Sequence, residues 1–189
     1  LPTAQAGDFR IVDMNSDKVI DEKDRVAVGS AQPKYYYGIN GSVNWKKWDF
    51  ALDLFGSGGN KVYNAKKGLR YGGNYNIEYE VANNRWQPGS GENKYPRAFN
   101  GTQPPMDYFV EDGSFLRVNN VSVGYNFATA KWKHFDKLRI YASAQNPFIL
   151  TPYTGFTPEM PGSPLASGIE LNIYPVSATY ILGVNLQFR

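Results

Sequence analysis

Cysteine is absent from the 189 residues, and histidine occurs once, at His134. Disulfide frameworks, zinc–thiolate sites and thiol nucleophiles are therefore excluded together, and little remains for imidazole-based metal or triad chemistry. Charge of one sign is lacking as well. Twenty Lys and Arg against 17 Asp and Glu leave a net charge of +3, spread along the chain, which is too mild for a nucleic-acid footprint. No apolar run approaches the roughly 18–20 residues of a membrane helix. A hydrophobic content of 42% excludes a disordered chain. What the chain does have is 14 Tyr, 11 Phe and 4 Trp among 19 Gly and 12 Pro, the composition of an all-β protein with long loops. Leu1 is followed by no charged-then-apolar signal segment, which reads as a processed start or as the tail of a longer polypeptide.

Period-2 alternation marks five strands. From Tyr35 the apolar parity is Tyr35, Tyr37, Ile39, Val43 and Trp45, and after Lys46-Lys47 it resumes as Trp48, Phe50, Leu52 and Leu54. A third strand covers about Phe115 to Phe127, with Val121, Val123, Tyr125 and Phe127 opposite Asn120, Ser122, Gly124 and Asn126. A fourth runs from Leu138 to about Gln145, and a fifth from Val176 to Phe188. A soluble sandwich buries such an apolar face against a second sheet, whereas a membrane barrel turns it to lipid and lines a wet interior with the polar one. The first, third and fifth strands, at about 11 to 13 residues, match tilted membrane strands better than the typical five or six of soluble sheets. Aromatic clusters at strand ends (Tyr35 to Tyr37, and Trp45, Trp48 and Phe127) stand where an interfacial girdle would. The sandwich stays open on pattern alone.

Loop lengths alternate between short (46–47), moderate (about 128–137) and long (about 57–113 and 151–175). Short turns at one end and long loops at the other are the habit of outer-membrane barrels. With the C-terminus periplasmic, counting back five strands puts residues 1–33 outside, ahead of strands and outer loops over 34–189. Five strands close no barrel, since small closed ones need about eight and unpaired edges are not tolerated in lipid. On the membrane reading the chain is a piece whose neighbouring strands come from the rest of the parent polypeptide.

The sharpest local motif is Asp13-Met-Asn15-Ser-Asp17-Lys-Val19-Ile-Asp21-Glu-Lys-Asp24. Oxygen donors fall at positions 1, 3, 5, 9 and 12, with the Val19 carbonyl at position 7, the spacing of a calcium loop. Five carboxylates within twelve residues repel one another unless a hard cation, Ca2+ or Mg2+, sits among them. Lys18 stands where glycine eases the sharp turn, Asp24 replaces a longer Glu, and no flanking helices are evident; an acidic solvated turn is the plain alternative. The long loop from Gly58 to Asp112 carries Tyr71, Tyr75, Tyr79 and Trp86, flat rings that could stack on sugars, grip a peptide or simply pack the loop.

Other chemistry is thin. Glu78, Glu80, Glu92, Asp107, Glu111 and Asp112 include no spacing that selects a glycosidase pair. Gly56-Ser-Gly58-Gly59-Asn60 is followed by no helix pattern, so a phosphate loop is not indicated. His134 lies in the cationic, aromatic turn Lys131-Trp-Lys-His-Phe-Asp-Lys137, which suits a membrane surface or any exposed loop. At the C-terminus Gly183, Leu186 and Phe188 have the spacing of an outer-membrane assembly signal, although Arg189 follows the aromatic.

In order along the chain, Gly7-Asp8-Phe-Arg, the 13–25 acidic stretch, Val28-Gly-Ser-Ala-Gln-Pro33, Tyr37-Gly-Ile-Asn40, Phe55-Gly-Ser-Gly-Gly-Asn60, Asp112-Gly-Ser-Phe-Leu-Arg through Tyr125, Leu138-Arg-Ile-Tyr-Ala-Ser-Ala-Gln-Asn146, Tyr153-Thr-Gly-Phe and Gly183 to Phe188 resemble the C-terminal part of SusC/RagA-family TonB-dependent outer-membrane transporters. The resemblance implies an antiparallel transmembrane barrel of 22 strands, of which this chain supplies about the last five with their extracellular loops. It implies outer-membrane lipid around the wall, an N-terminal plug and TonB contact elsewhere in the parent, and a SusD-like surface lipoprotein closing over the top, the pairs able to dimerise. Oligosaccharides or peptides would be imported and no catalytic residue is implied. The competing expectation is a secreted, calcium-bound, carbohydrate-binding β-sandwich; a glycoside hydrolase comes third.

Overall fold

The computed structural model describes residues 4–71, 76–91, 93–99, 104–129, 132–160, 168–171 and 173–189. In chain order the strands are β1 (Tyr35–Trp45), β2 (Trp48–Gly58), β3 (Lys61–Asn64), β4 (Val110–Asp112), β5 (Phe115–Phe127), β6 (Phe135–Gln145), β7 (Ile149–Leu150), β8 (Ile169–Glu170) and β9 (Thr179–Phe188). Two short helices, α1 (Ala65–Tyr71) and α2 (Tyr79–Asn83), lie between β3 and β4. The chain divides into two compact units. One gathers Leu1–Gly29, Tyr63–Val110 and Ile169–Asn172, the other Ser30–Val62, Glu111–Gly168 and Ile173–Arg189.

The second unit is an antiparallel sheet in the order β1-β2-β5-β6-β9, with β7 paired to β5. Its first hairpin turns on Lys46 and Lys47, as the resumed alternation requires, and Lys46 takes the left-handed φ of 57° that a two-residue hairpin demands. Register carries one apolar face across the strands: Val43 opposes Phe50, Phe50 opposes Val123, Val123 opposes Ala142, and Ala142 opposes Leu182. The other face is polar and small. Across it Asp49 takes the Arg139 guanidinium at both oxygens (2.5 and 2.9 Å) and the Asn126 amide at 2.9 Å. Gly183 opposes Tyr141 on this face, and a β-carbon there would strike the tyrosine ring.

A β-bulge between Asp53 and Leu54 of β2 resets the parity of β5: Asp53 pairs with Asn120 but Leu54 with Val118, leaving Asn119 as the extra residue. Upstream of it Phe115 and Arg117 therefore join the polar face. Neither face is covered by a second layer among the described residues. Ile39, Val43, Phe50, Leu52 and Val184 are exposed, and Leu182 is 86% exposed. A soluble sandwich would bury exactly this set, so the sandwich expectation has no support here. The fifth strand is also shorter than its alternation suggested, since Val176 to Ala178 lie outside it and pairing begins at Thr179.

The first unit is not a featureless loop. Phe109, Tyr71 and Val81 form its buried core, with Phe9, Tyr63, Tyr95, Phe99, Met106 and Tyr108 packed around them. Phe9 meets Tyr108 at 4.7 Å between ring centroids, and Tyr71 meets Tyr95 edge-on at 5.6 Å. β3 and β8 pair in parallel through Tyr63–Ile169 and Asn64–Glu170. The expectation that no helix succeeds the glycine-rich 56–60 stretch is corrected: α1 follows β3, its Gly68 lying close to the Phe109 ring. A seven-residue helix with a central glycine has little intrinsic propensity, so packing on Phe109 is what holds it.

Candidate functional site

The polar face of the sheet, at the end where the long loops emerge, opens into a cleft of about 680 Å³. Its floor is aromatic. Tyr36 stacks on Phe55 at 6.3 Å and 21°, and Phe55 leans on Phe115 at 5.9 Å. Arg117, brought to this face by the Asn119 bulge, lies 6.0 Å over the Phe55 ring and pairs with Glu159 at 2.5 Å. Asn119 accepts from Arg117 Nε at 2.7 Å, and the Thr157 hydroxyl accepts from the Glu159 amide at 3.2 Å. Flat rings beside a planar, charge-assisted fork suit the stacking and hydrogen bonding of a sugar ring or a peptide, bound reversibly.

The sequence reading did not single out Tyr36, Phe55, Arg117 or Glu159. The adjacent polar pair Asn119-Asn120, which breaks the alternation, is the signal that could have located the bulge and with it Arg117.

The residues that were singled out fall as follows. Tyr71 is 3% exposed, its ring in the core of the loop unit, and burial raises its phenol well above the ordinary value. Tyr79 projects, 85% exposed. The half-buried Trp86 lies against Gly7, which has a left-handed φ of 87° and no room for a β-carbon beside the indole. Tyr75 lies outside the described residues. Beside Trp86, Arg97 clamps the N-terminal segment: its guanidinium holds Asp8 at 2.5 and 3.2 Å, and its amide donates to the Gly7 carbonyl at 2.9 Å. The guanidinium keeps the Asp8 carboxyl below its usual range.

In the 13–24 loop Lys18 takes the left-handed conformation, φ 69°, that glycine would otherwise supply, and its amide donates to Asp13 Oδ2 at 2.7 Å. Asn15 and Asp17 accept local amides, those of Asp17 and Val19, and Asp21 caps Lys23. Asp24 accepts from the Met14 and Asp21 amides, which hold its carboxyl low. Asp13 Oδ1 is enclosed without a hydrogen-bond partner. Among the described residues no three acidic or histidine side chains converge in metal-holding geometry.

Among the described residues the loop carboxylates form no acid/base pair. Glu78 meets Arg70, Glu80 meets Lys94 at 2.5 Å, Glu111 accepts from the Thr154 amide and hydroxyl, and Asp112 caps Ser114; Glu92 lies outside the described residues. Asp107 sits in a short 3-10 turn, Asp107–Phe109. At the C-terminus Leu186 and Phe188 point to the apolar face opposite Leu138 and Phe135, while Gly183 lies on the polar one.

A long-stranded antiparallel sheet with a bare apolar face and a polar face that carries charge is a wall segment of a transmembrane β-barrel. Comparison with known proteins agrees. Over 182 residues, 94% of this chain, it is 33% identical to the TonB-dependent receptor SusC of Bacteroides thetaiotaomicron, and over 198 residues, 96% of the chain, 30% identical to the TonB-dependent receptor P26 of Formosa agariphila. The chain spans only 17% and 20% of those receptors' lengths. Solved structures of the RagAB peptide transporter and of the RagAB peptide importer in its open-open state share the fold, with TM-scores of 0.70 and 0.69. Identities are 23% and 24%, with 84% and 93% of this chain covered and 17% and 20% of theirs. No family model matches the chain. Along nearly its whole length the chain is thus similar to a segment of TonB-dependent receptors such as SusC and P26, and it has the fold of a segment of the RagAB transporters.

Proposed function

We propose that the chain forms part of the wall of a TonB-dependent importer. On this reading the barrel has 22 strands, and its plug and TonB-contacting segment lie in the rest of the parent polypeptide. A SusD-like lipoprotein closes over the long-loop end, and such pairs are able to dimerise. The observation that carries the reading is the two-faced sheet, whose bare apolar side needs lipid and whose polar side ends in the aromatic cleft around Arg117 and Glu159. Cargo, an oligosaccharide or a peptide, meets that cleft. Tyr79 and Trp86 are proposed contacts of the lipoprotein lid, with Tyr75; Tyr71 supports them by packing. Gly183, Leu186 and Phe188 serve as the assembly signal.

The test is uptake of fluorescent oligosaccharide and peptide pools by cells carrying the parent receptor with Arg117→Ala and Glu159→Ala. Uptake is expected to fall for one pool, with receptor levels in the outer membrane unchanged. Undiminished uptake of both overturns the cleft, and a parent receptor that does not fractionate with the outer membrane overturns the wall.

A smaller proposal concerns the 13–24 loop. The enclosed Asp13 Oδ1 and the left-handed Lys18 support a site for Ca2+ or Mg2+ built from Asp13, Asn15, Asp17, the Val19 carbonyl, Asp21 and Asp24. Binding would draw these donors off the local amides that they now accept. Chelation should raise amide exchange across 4–33 in the parent receptor, and unchanged exchange counts against the ion.

A further inference from the structure

The end of the sheet opposite the cleft, where the strands are joined by short turns, is chemically distinct. Register and two backbone hydrogen bonds gather three segments there: the Lys46-Lys47 hairpin, whose Lys47 carbonyl accepts from the Asn126 amide at 2.7 Å, the turn before β6, and the C-terminal Arg189, whose amide donates to the His134 carbonyl at 3.4 Å. They place five exposed cations together: Lys46, Lys47, Lys133, Lys137 and Arg189. Among the described residues none of the five has a carboxylate partner. Among the described residues the side-chain carboxylates of this end are Asp49, already held by Arg139, and Asp136.

The same end carries indoles at its rim. Trp45 and Trp48 face each other across the hairpin on the apolar face, and Trp132 leans on Phe135, which in turn meets Phe188 at 5.2 Å. All three indoles are exposed, and Lys46 Nζ stands 5.1 Å over the Trp45 ring. Indoles with an apolar body and a polar N–H settle at the depth of lipid headgroups, and lysine stems reach outward from that depth to water or phosphate.

We infer that this short-turn end is a docking surface for anionic phospholipid, its lysines and Arg189 meeting headgroup phosphates while the acyl chains lie on the apolar face. The inference rests on the reading of the sheet as a membrane wall. Charge complementarity selects the anionic class, because a zwitterionic headgroup brings its own cation whereas five cations with no carboxylate partner among the described residues favour added negative charge. The surface is open and exposed, so a free phosphate would be screened and weakly held; the lipid is retained because its chains bind at the same time.

The test uses the delipidated parent receptor in detergent, titrated with phosphatidylglycerol and phosphatidylcholine and read by native mass spectrometry. Phosphatidylglycerol is expected to be retained preferentially, and the preference should fall about a hundredfold in the triple variant Lys46→Gln, Lys47→Gln, Lys133→Gln. The triple Lys→Arg variant should keep it. Equal retention of the two lipids, or a preference that survives loss of the charges, overturns the inference. So does displacement of phosphatidylglycerol by millimolar inorganic phosphate. Quenching of Trp45 and Trp48 by phosphatidylcholine with brominated chains reads the wall separately: quenching without headgroup preference sinks only this inference, whereas absence of quenching sinks the wall as well.

Discussion

The loop unit and the sheet unit draw on the same large apolar residues and expose them in opposite ways. In the loop unit Phe109 is completely buried, with Tyr71 and Val81 beside it and a shell of further rings around them. In the sheet unit a continuous row from Val43 through Phe50, Val123 and Ala142 to Leu182 has no protein over it among the described residues. The hydrophobic drive is the same in both, since apolar area leaves water. What differs is the destination: other side chains of the loop unit in one case, hydrocarbon in the other. Hydrogen bonding follows suit. The loop unit draws on local caps and ion pairs, whereas the sheet relies on inter-strand ladders that only a closed barrel completes.

The contrast is broken most directly in the loop core. Phe109→Ala should cost about 3–5 kcal/mol of local stability, because a fully buried ring leaves a cavity beneath α1. Limited proteolysis of the parent receptor should then cut within 63–110 while β1, β2, β5, β6 and β9 of the sheet stay protected. Unchanged resistance of that loop would mean that its core is not a core. In the sheet the sensitive substitution is the addition of charge. Leu52→Arg, at mid-strand on the apolar face opposite Gly41 and Val121, should cost about 2–4 kcal/mol in lipid vesicles. Ser42→Arg on the polar face should cost far less. Equal tolerance at the two positions, measured by urea unfolding of the vesicle-bound receptor, would erase the distinction between the faces.

The two units were not equally legible. β1 and β2 declare themselves through a run of alternation that only Gly41 interrupts, and the turn at Lys46-Lys47 falls where parity says it must. β5 is readable downstream of Asn120 but not upstream, because one extra residue at Asn119 puts every earlier side chain of the strand on the opposite face. The Asn119-Asn120 doublet marks that shift in the sequence. The cleft is another matter: Glu159 reaches Arg117 across 42 residues, a contact that no local period encodes. The helices of the loop unit were missed for a related reason. Ala65–Tyr71 is too short, with a glycine at its centre, to announce itself, and it exists because Phe109, about forty residues on, gives Gly68 a surface to lie on. Tyr71 looked like a contact residue by composition and turned out to be core by burial.

The smallest expected effect lies where the loop unit holds its own N-terminal segment. Arg97→Ala removes the fork on Asp8 but leaves the Arg97 backbone amide on the Gly7 carbonyl, so the segment should loosen rather than detach. A partly exposed bidentate pair is worth about 1 kcal/mol, which at neutral pH corresponds to roughly fivefold faster amide exchange over residues 4–10. The pH dependence fixes the cause. Arg97 lowers the Asp8 carboxyl below its ordinary 3.8, so the pair contributes its stability at pH values above that figure and loses it as the pH falls through the depressed value. The gap between the variant and the parent receptor should therefore be full at pH 7 and should close as the pH drops below about 3.8. A gap that persists unchanged under acid would assign the effect to lost packing of the arginine stem rather than to charge, and the N-terminal segment would then be held, like the rest of its unit, by apolar contact.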